Sequence, residues 1–217
     1  MVEVHKPVRV AVNVMRARQT VVGFNIAIVS FQIAQISRLP GGLKVSGLEH
    51  AIHLRADIAL FTALALALLS LLALTLSSEF DEVGYCTRWS LVAGDILMYL
   101  SLAHTVTGFF APLDFAFGEF AARVPTHAAA MAVLQTALRA VAGAAWFLAT
   151  YAGPLTALKQ SPFPRTTNIA LGIAYLALLM VLCWVGALSV QVETMDTGGQ
   201  PSLLLGVLKE LVQPFRW

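Results

Sequence analysis

Four ionisable residues fall within stretches that otherwise read as hydrocarbon: Asp57, Asp95, His104 and Arg139. On insertion scales a charged side chain at the bilayer centre costs about 2.5–3.5 kcal/mol, so each needs a partner or a task. If the helices that carry them run antiparallel, Asp95, His104 and Arg139 occupy overlapping depths. The expected chemistry is a proton or ion path, with Asp95 and Arg139 as a charge pair and His104 as the titratable step. The plainer reading is an ion pair that locks two helices together, with His104 bonded to a neighbouring carbonyl.

A neutral polar set precedes these. Asn25, Gln32 and Gln35, with Arg18, fall on one narrow stripe if Thr20–Ser37 is helical. An interfacial helix carries a broad charged face. This stripe is narrow and uncharged, which suits a helix within the bilayer whose polar edge faces protein or a pore. A third set, His50, His53 and Asp57, shares a helical face at spacings of three and four. Imidazole and carboxylate at that spacing can hold a divalent metal. The set supplies few ligands and has no partner motif on another helix, so a polar turn at the headgroups is the simpler account. A b-type haem needs two histidines level on neighbouring spans. His104, His127 and His53 are at different depths, so no cofactor is specified.

The elements that must position these residues are long apolar runs. The chain has 217 residues, 58% of them hydrophobic and only 12% charged, with a mean hydropathy of +0.77. That is about half the charge of a soluble domain, too little to coat a globule in water. Four runs meet the ~20-residue requirement of a spanning helix: about 53–76, 89–112, within 126–158, and 168–190. Continuous Leu/Ala runs lack the alternation that a membrane β-barrel needs. Ser46 and Glu49 fit a capping box, so the first span begins near Gly47. Pro112, Pro125, Pro162 and Pro164 mark connections, and Pro154 predicts a kink or early end to the third span.

Loop charge sets orientation. With four crossings and a cytoplasmic N-terminus, Lys6, Arg9, Arg16, Arg18, Arg38, Lys44, Arg55, Arg123, Lys209 and Arg216 lie inside. Only Arg88, Lys159 and Arg165 lie outside. A fifth crossing at Thr20–Ser37 would make the split nearly even, so that segment reads as a buried or re-entrant helix in preference to a fifth span. The C-terminal stretch PSLLLGVLKELVQPFRW reads as an amphipathic interfacial helix, with Leu203, Leu204, Val207, Leu208 and Leu211 opposite Lys209 and Glu210.

The expected architecture is therefore an all-α integral membrane bundle of four transmembrane helices, with a possible fifth. Residues 1–18 form a basic segment, 19–37 the buried helix, 47–190 the bundle and 191–217 the tail. The N-terminus lacks the apolar core and small-residue cleavage site of a signal peptide. The expected home is a bacterial-type inner membrane. A net charge of +2 gives no reason to expect a nucleic-acid partner. The lipid bilayer is the necessary one, and copies of the chain or partner membrane subunits are expected beside it.

No P-loop, GxGxxG, GxSxG, HExxH or potassium-filter sequence is present, which weakens an enzyme reading. The leading functional expectation is a subunit of a homo-oligomeric ion channel or small ion transporter. The alternatives are a membrane subunit or anchor of a larger complex linked to quinone or haem, and a membrane-embedded metalloenzyme.

Overall fold

The computed structural model describes residues 8–9, 12–36, 42–43, 47, 51–78, 85–86, 89–194 and 202–213. The chain folds as an all-α membrane bundle. Its helices are α1 (Val12–Gln35), α2 (Leu54–Ser78), α3 (Ser90–Arg123), α4 (Ala128–Phe147), α5 (Gly153–Lys159), α6 (Arg165–Glu193) and α7 (Leu203–Leu211). Four segments are long and apolar enough to cross a membrane: Leu54–Ser77, Ser90–Arg123, Pro125–Lys159 and Arg165–Glu193. The outer surface carries Phe24, Phe61, Leu72, Leu148, Ile173 and Leu176 exposed. Lipid is the solvent that makes such a surface stable.

The centre of the bundle is α2 against α3. Ala56, Ala59, Ala63 and Ala67 recur on the buried face of α2, a small-residue stripe that lets helix axes approach. Gly108 of α3 completes the contact, because a Cβ there would sit 2.5 Å from Cγ of Leu60.

α1 lies along the whole of α2. Met15 and Val22 pack with Ala67 and Leu74 at one end, and Val29 and Ile36 pack with Ala56, Leu60 and Ala63 at the other. The helix is therefore continuous and antiparallel to α2, with no reversal along its 24 residues. A two-residue antiparallel ladder, β1 (Val8–Arg9) with β2 (Tyr85–Cys86), ties the chain before α1 to the α2–α3 connection.

Neither Pro112, expected to mark a connection, nor Pro154, expected to kink or end its span, stops its helix. Pro112 does not end its helix. α3 runs through it to Arg123 and at 34 residues is about 51 Å long, well over a ~30 Å core. Pro154 neither ends nor isolates the third span. The segment Leu148–Ala152 widens into a π-helix and joins α4 to α5 as one rod. Pro154 has no N–H for the Thr150 carbonyl four residues back. That carbonyl accepts the hydroxyl of Tyr175 on α6 instead, so the lost helix bond becomes a helix–helix bond.

α7 departs from the expected pattern at Glu210. Glu210, placed by the amphipathic pattern on the outer polar face, is buried at 7% exposure, whereas Leu204 is 76% exposed. Leu204 and Leu208 turn outward, Val207 and Leu211 pack against the core, and the Glu210 carboxylate turns in. Ser202 caps the helix, its Oγ accepting from the Leu205 N–H at 3.4 Å. Close docking on α6 follows from Gly206, where a Cβ would meet the Ala187 Cβ at 3.0 Å. The hydroxyl of Tyr151 donates to the Leu211 carbonyl at 2.5 Å and ties down the far end.

Candidate functional site

The sequence-derived residues do not gather in one place. Asp95 pairs with Arg18 of α1, with Nε 2.6 Å from Oδ1 and Nη2 donating to Oδ2 at 2.8 Å. The Nε contact is ionic and falls outside hydrogen-bond alignment. Arg139, expected to partner Asp95, instead holds Asp114. Its Nε donates to Oδ1 at 2.7 Å and Nη2 to Oδ2 at 3.0 Å, and Gln135 donates to the same carboxylate at 2.9 Å. Asp95, His104 and Asp114 are thus strung along α3 about 14 Å apart. The reason is the length of α3. It continues past Pro112, so its extension carrying Asp114 meets the early part of α4, and Arg139 lies far from the end that bears Asp95.

The α1 stripe faces inward. Asn25 is buried, donates from Nδ2 to Ser101 Oγ at 2.7 Å and accepts from Thr105 Oγ1 at 2.8 Å. Ser101 passes the chain on by donating to the Ala63 carbonyl at 2.7 Å. Gln32 and Gln35 lie further along α1, half-buried. Of the metal set, His50 lies outside the described residues. His53 is buried ahead of α2, and Asp57 stands in the first turn of α2. No cluster of three potential metal ligands occurs among the described residues.

A different constellation surrounds His104. Between α2, α3, the π-helical segment, α6 and α7 lies a chamber of about 30 Å³ (space for water centres) lined by Arg55, His104, Thr107, Thr150, Glu210 and Gln213. Such a volume holds about two waters. Arg55 Nη2 donates to Glu210 Oε1 at 3.0 Å and reaches Oε2 at 3.3 Å. Four buried side-chain atoms on this lining have no partner: Arg55 Nε, His104 Nδ1, Thr150 Oγ1 and Gln213 Nε2. Gln213 and Thr150 are only 4% and 1% exposed. An unmade bond on a buried polar atom costs about 1–3 kcal/mol, and native interiors carry few of them. Four such atoms line this one void, which leaves donors and acceptors free for a polar guest or water.

Arg55 also faces outward. It lines an open cleft of about 450 Å³ with His53, Pro112, Phe115, Glu193 and Thr194. Its backbone N–H donates to Glu193 Oε1 at 2.8 Å, so a carboxylate from α6 serves the positive N-terminal end of α2. Arg55 is therefore the wall between cleft and chamber, held by Glu193 through its backbone and by Glu210 through its side chain.

Of these residues only His104 stood out in the sequence. Arg55 reads there as a topology charge and Glu210 as a surface carboxylate. The signals were indirect: Pro154 disturbs bonding four residues back at Thr150, and a lone glutamate amid leucines in a lipid-facing helix must point inward. The chain matches no protein-family model, no curated protein and no solved structure.

Proposed function

We propose that this polytopic membrane protein is a small-ion transporter whose polar path runs inside each protomer, from the open cleft past Arg55 into the His104 chamber. The observation that carries the reading is the placement of Arg55 on both cavities, with four unpartnered polar atoms behind it. A path between subunits has less to support it. Asn25, the buried member of the polar stripe, is bonded inward to Ser101 and Thr105, and the outward residues of α1 include Phe24, Ile28 and Phe31.

Reconstituted liposomes with an entrapped pH dye and an imposed sodium, potassium or chloride gradient test it. Glu210→Gln and Arg55→Gln are expected to cut flux by at least about tenfold, the scale of one lost charge-assisted contact. Asp114→Asn, off the path, should leave flux intact. Unchanged flux in Glu210→Gln would sink the proposal.

The same reading takes α1 as a fifth crossing, because it runs beside α2 from Leu74 to Ala56. The inside excess of positive loops then falls to near parity, since the basic N-terminal segment moves to the side of Arg88 and Lys159. An N-terminal tag and a thiol label at Gln160→Cys should become accessible from the same side of sealed vesicles. Access from opposite sides would return α1 to a non-crossing helix.

A further inference from the structure

The chemistry of the chamber narrows what it can take. Arg55 Nε and the Gln213 amide nitrogen can only donate, Thr150 Oγ1 is able to, and His104 Nδ1 does so once protonated. All four are unpartnered. The Glu210 carboxylate, the acceptor at this wall, is already engaged by Arg55 Nη2. A metal cation entering the chamber would meet the N–H groups of Arg55 and Gln213. An anion would meet an arc of donors, the arrangement by which proteins bind small oxyanions and halides. Room for about two waters limits the guest to a halide or an anion of about three heavy atoms.

Charge balance adds a second condition. The titratable and charged groups that line the chamber are Arg55 from α2, Cys183 from α6 and Glu210 from α7, with His104 itself on α3. The guanidinium is offset by Glu210 at 3.0 Å, and Glu193 stands one step outside against the Arg55 backbone. An added anion would leave this low-dielectric pocket with uncompensated negative charge, which is costly. A proton on His104 restores the balance.

We infer that the chamber binds a small monoanion together with one proton. The anion enters from the cleft, the proton comes from water and adds to His104 Nδ1, and the new N–H donates to the anion. No other bond forms or breaks, and the net charge taken up is zero. The inference shares with the transport reading only the route by which the anion arrives; the binding site rests on the chamber itself.

The test uses the full-length protein in detergent, titrated with sodium formate, nitrite or chloride at about pH 5.5 and about pH 7.5, either side of the ordinary imidazole range. Calorimetry reads binding and a pH electrode in weakly buffered solution reads proton uptake. The expected result is saturable binding of at least one of these anions, about a hundredfold tighter at the lower pH, with about one proton taken up per anion across the two pH units. His104→Gln should abolish the proton uptake. Gln213→Glu, which puts a carboxylate where donors stood, should weaken the anion at least about tenfold.

No saturable binding of any of the three, as expected if the chamber holds only water, overturns the inference. So does anion binding by the wild type without proton uptake, or a sodium or potassium site strengthened by Gln213→Glu. The two readings fail separately. Glu210-dependent flux without anion binding leaves the transporter and removes the anion. Anion binding without flux does the reverse.

Discussion

The two sides of α3 hold polar groups of the same kinds in opposite states. Toward α1, Asp95, Ser101 and Thr105 meet Arg18 and Asn25 in a closed series of contacts between 2.6 and 2.8 Å. Toward α7, His104 and Thr107 look into a chamber where Arg55, Thr150 and Gln213 each keep an unpartnered atom. Both regions contain a half-buried arginine paired with a buried carboxylate among apolar helices. In the first, nearly all hydrogen-bonding capacity is used within the protein. In the second, capacity is left over and a void sits against it. An intramembrane charge alone does not separate glue from function. Unspent hydrogen-bonding capacity around a void is the observation on which the transport proposal distinguishes them.

The largest effect should come from breaking the closed side. Asp95→Ala strands Arg18 against the bundle with no counter-charge. Removal of one partner from a buried pair costs about 3 kcal/mol or more, and α1 should loosen from α3. The midpoint of helix loss by circular dichroism in detergent should fall clearly, while flux per folded protein stays near wild type. A variant that melts normally but no longer transports would move Asp95 from the frame into the path and undo the comparison.

What the sequence made legible follows the strength of its physical signals. Four crossings are legible because hydrocarbon demands long uncharged runs, and Leu54–Ser77 and Arg165–Glu193 meet that demand without ambiguity. The helicity of α1 and the inward turn of its stripe are legible for the same reason, since Asn25 has no favourable place in lipid. Pairing is not legible. Arg18 and Arg139 are equally good partners for Asp95 on paper, and the choice depends on how far α3 continues past Pro112, a residue that reads as a stop in water and is tolerated within a membrane bundle.

Charge counting weighs loops and sets α1 apart from the four crossings, whereas the packing of Met15 through Ile36 shows only that the helix runs along α2. α7 is the sharpest case. Its leucines define a face in the sequence, but only the surrounding medium says which way the face turns. Water would bury Leu204 and expose Glu210; the bundle has them the other way round.

The smallest expected effect, and the one that most sharpens the contrast, lies in the chamber. Thr150→Val and Gln213→Leu replace two unpartnered polar side chains with apolar ones of similar shape. Removal of an unsatisfied buried group is close to neutral or stabilising, because no bond is lost and a desolvation cost disappears. The helix backbone at Thr150 is unaffected, since its carbonyl keeps the Tyr175 hydroxyl. The double variant should therefore melt within about 0.5 kcal/mol of wild type or above it, yet carry little flux. Stability and activity would then move apart, as expected where natural proteins keep costly polar groups for use. A double variant that melts well below wild type would mean these atoms are held by ordered water as part of the frame. The chamber would then be a second closed contact, completed by solvent, and the difference between the two sides of α3 would vanish.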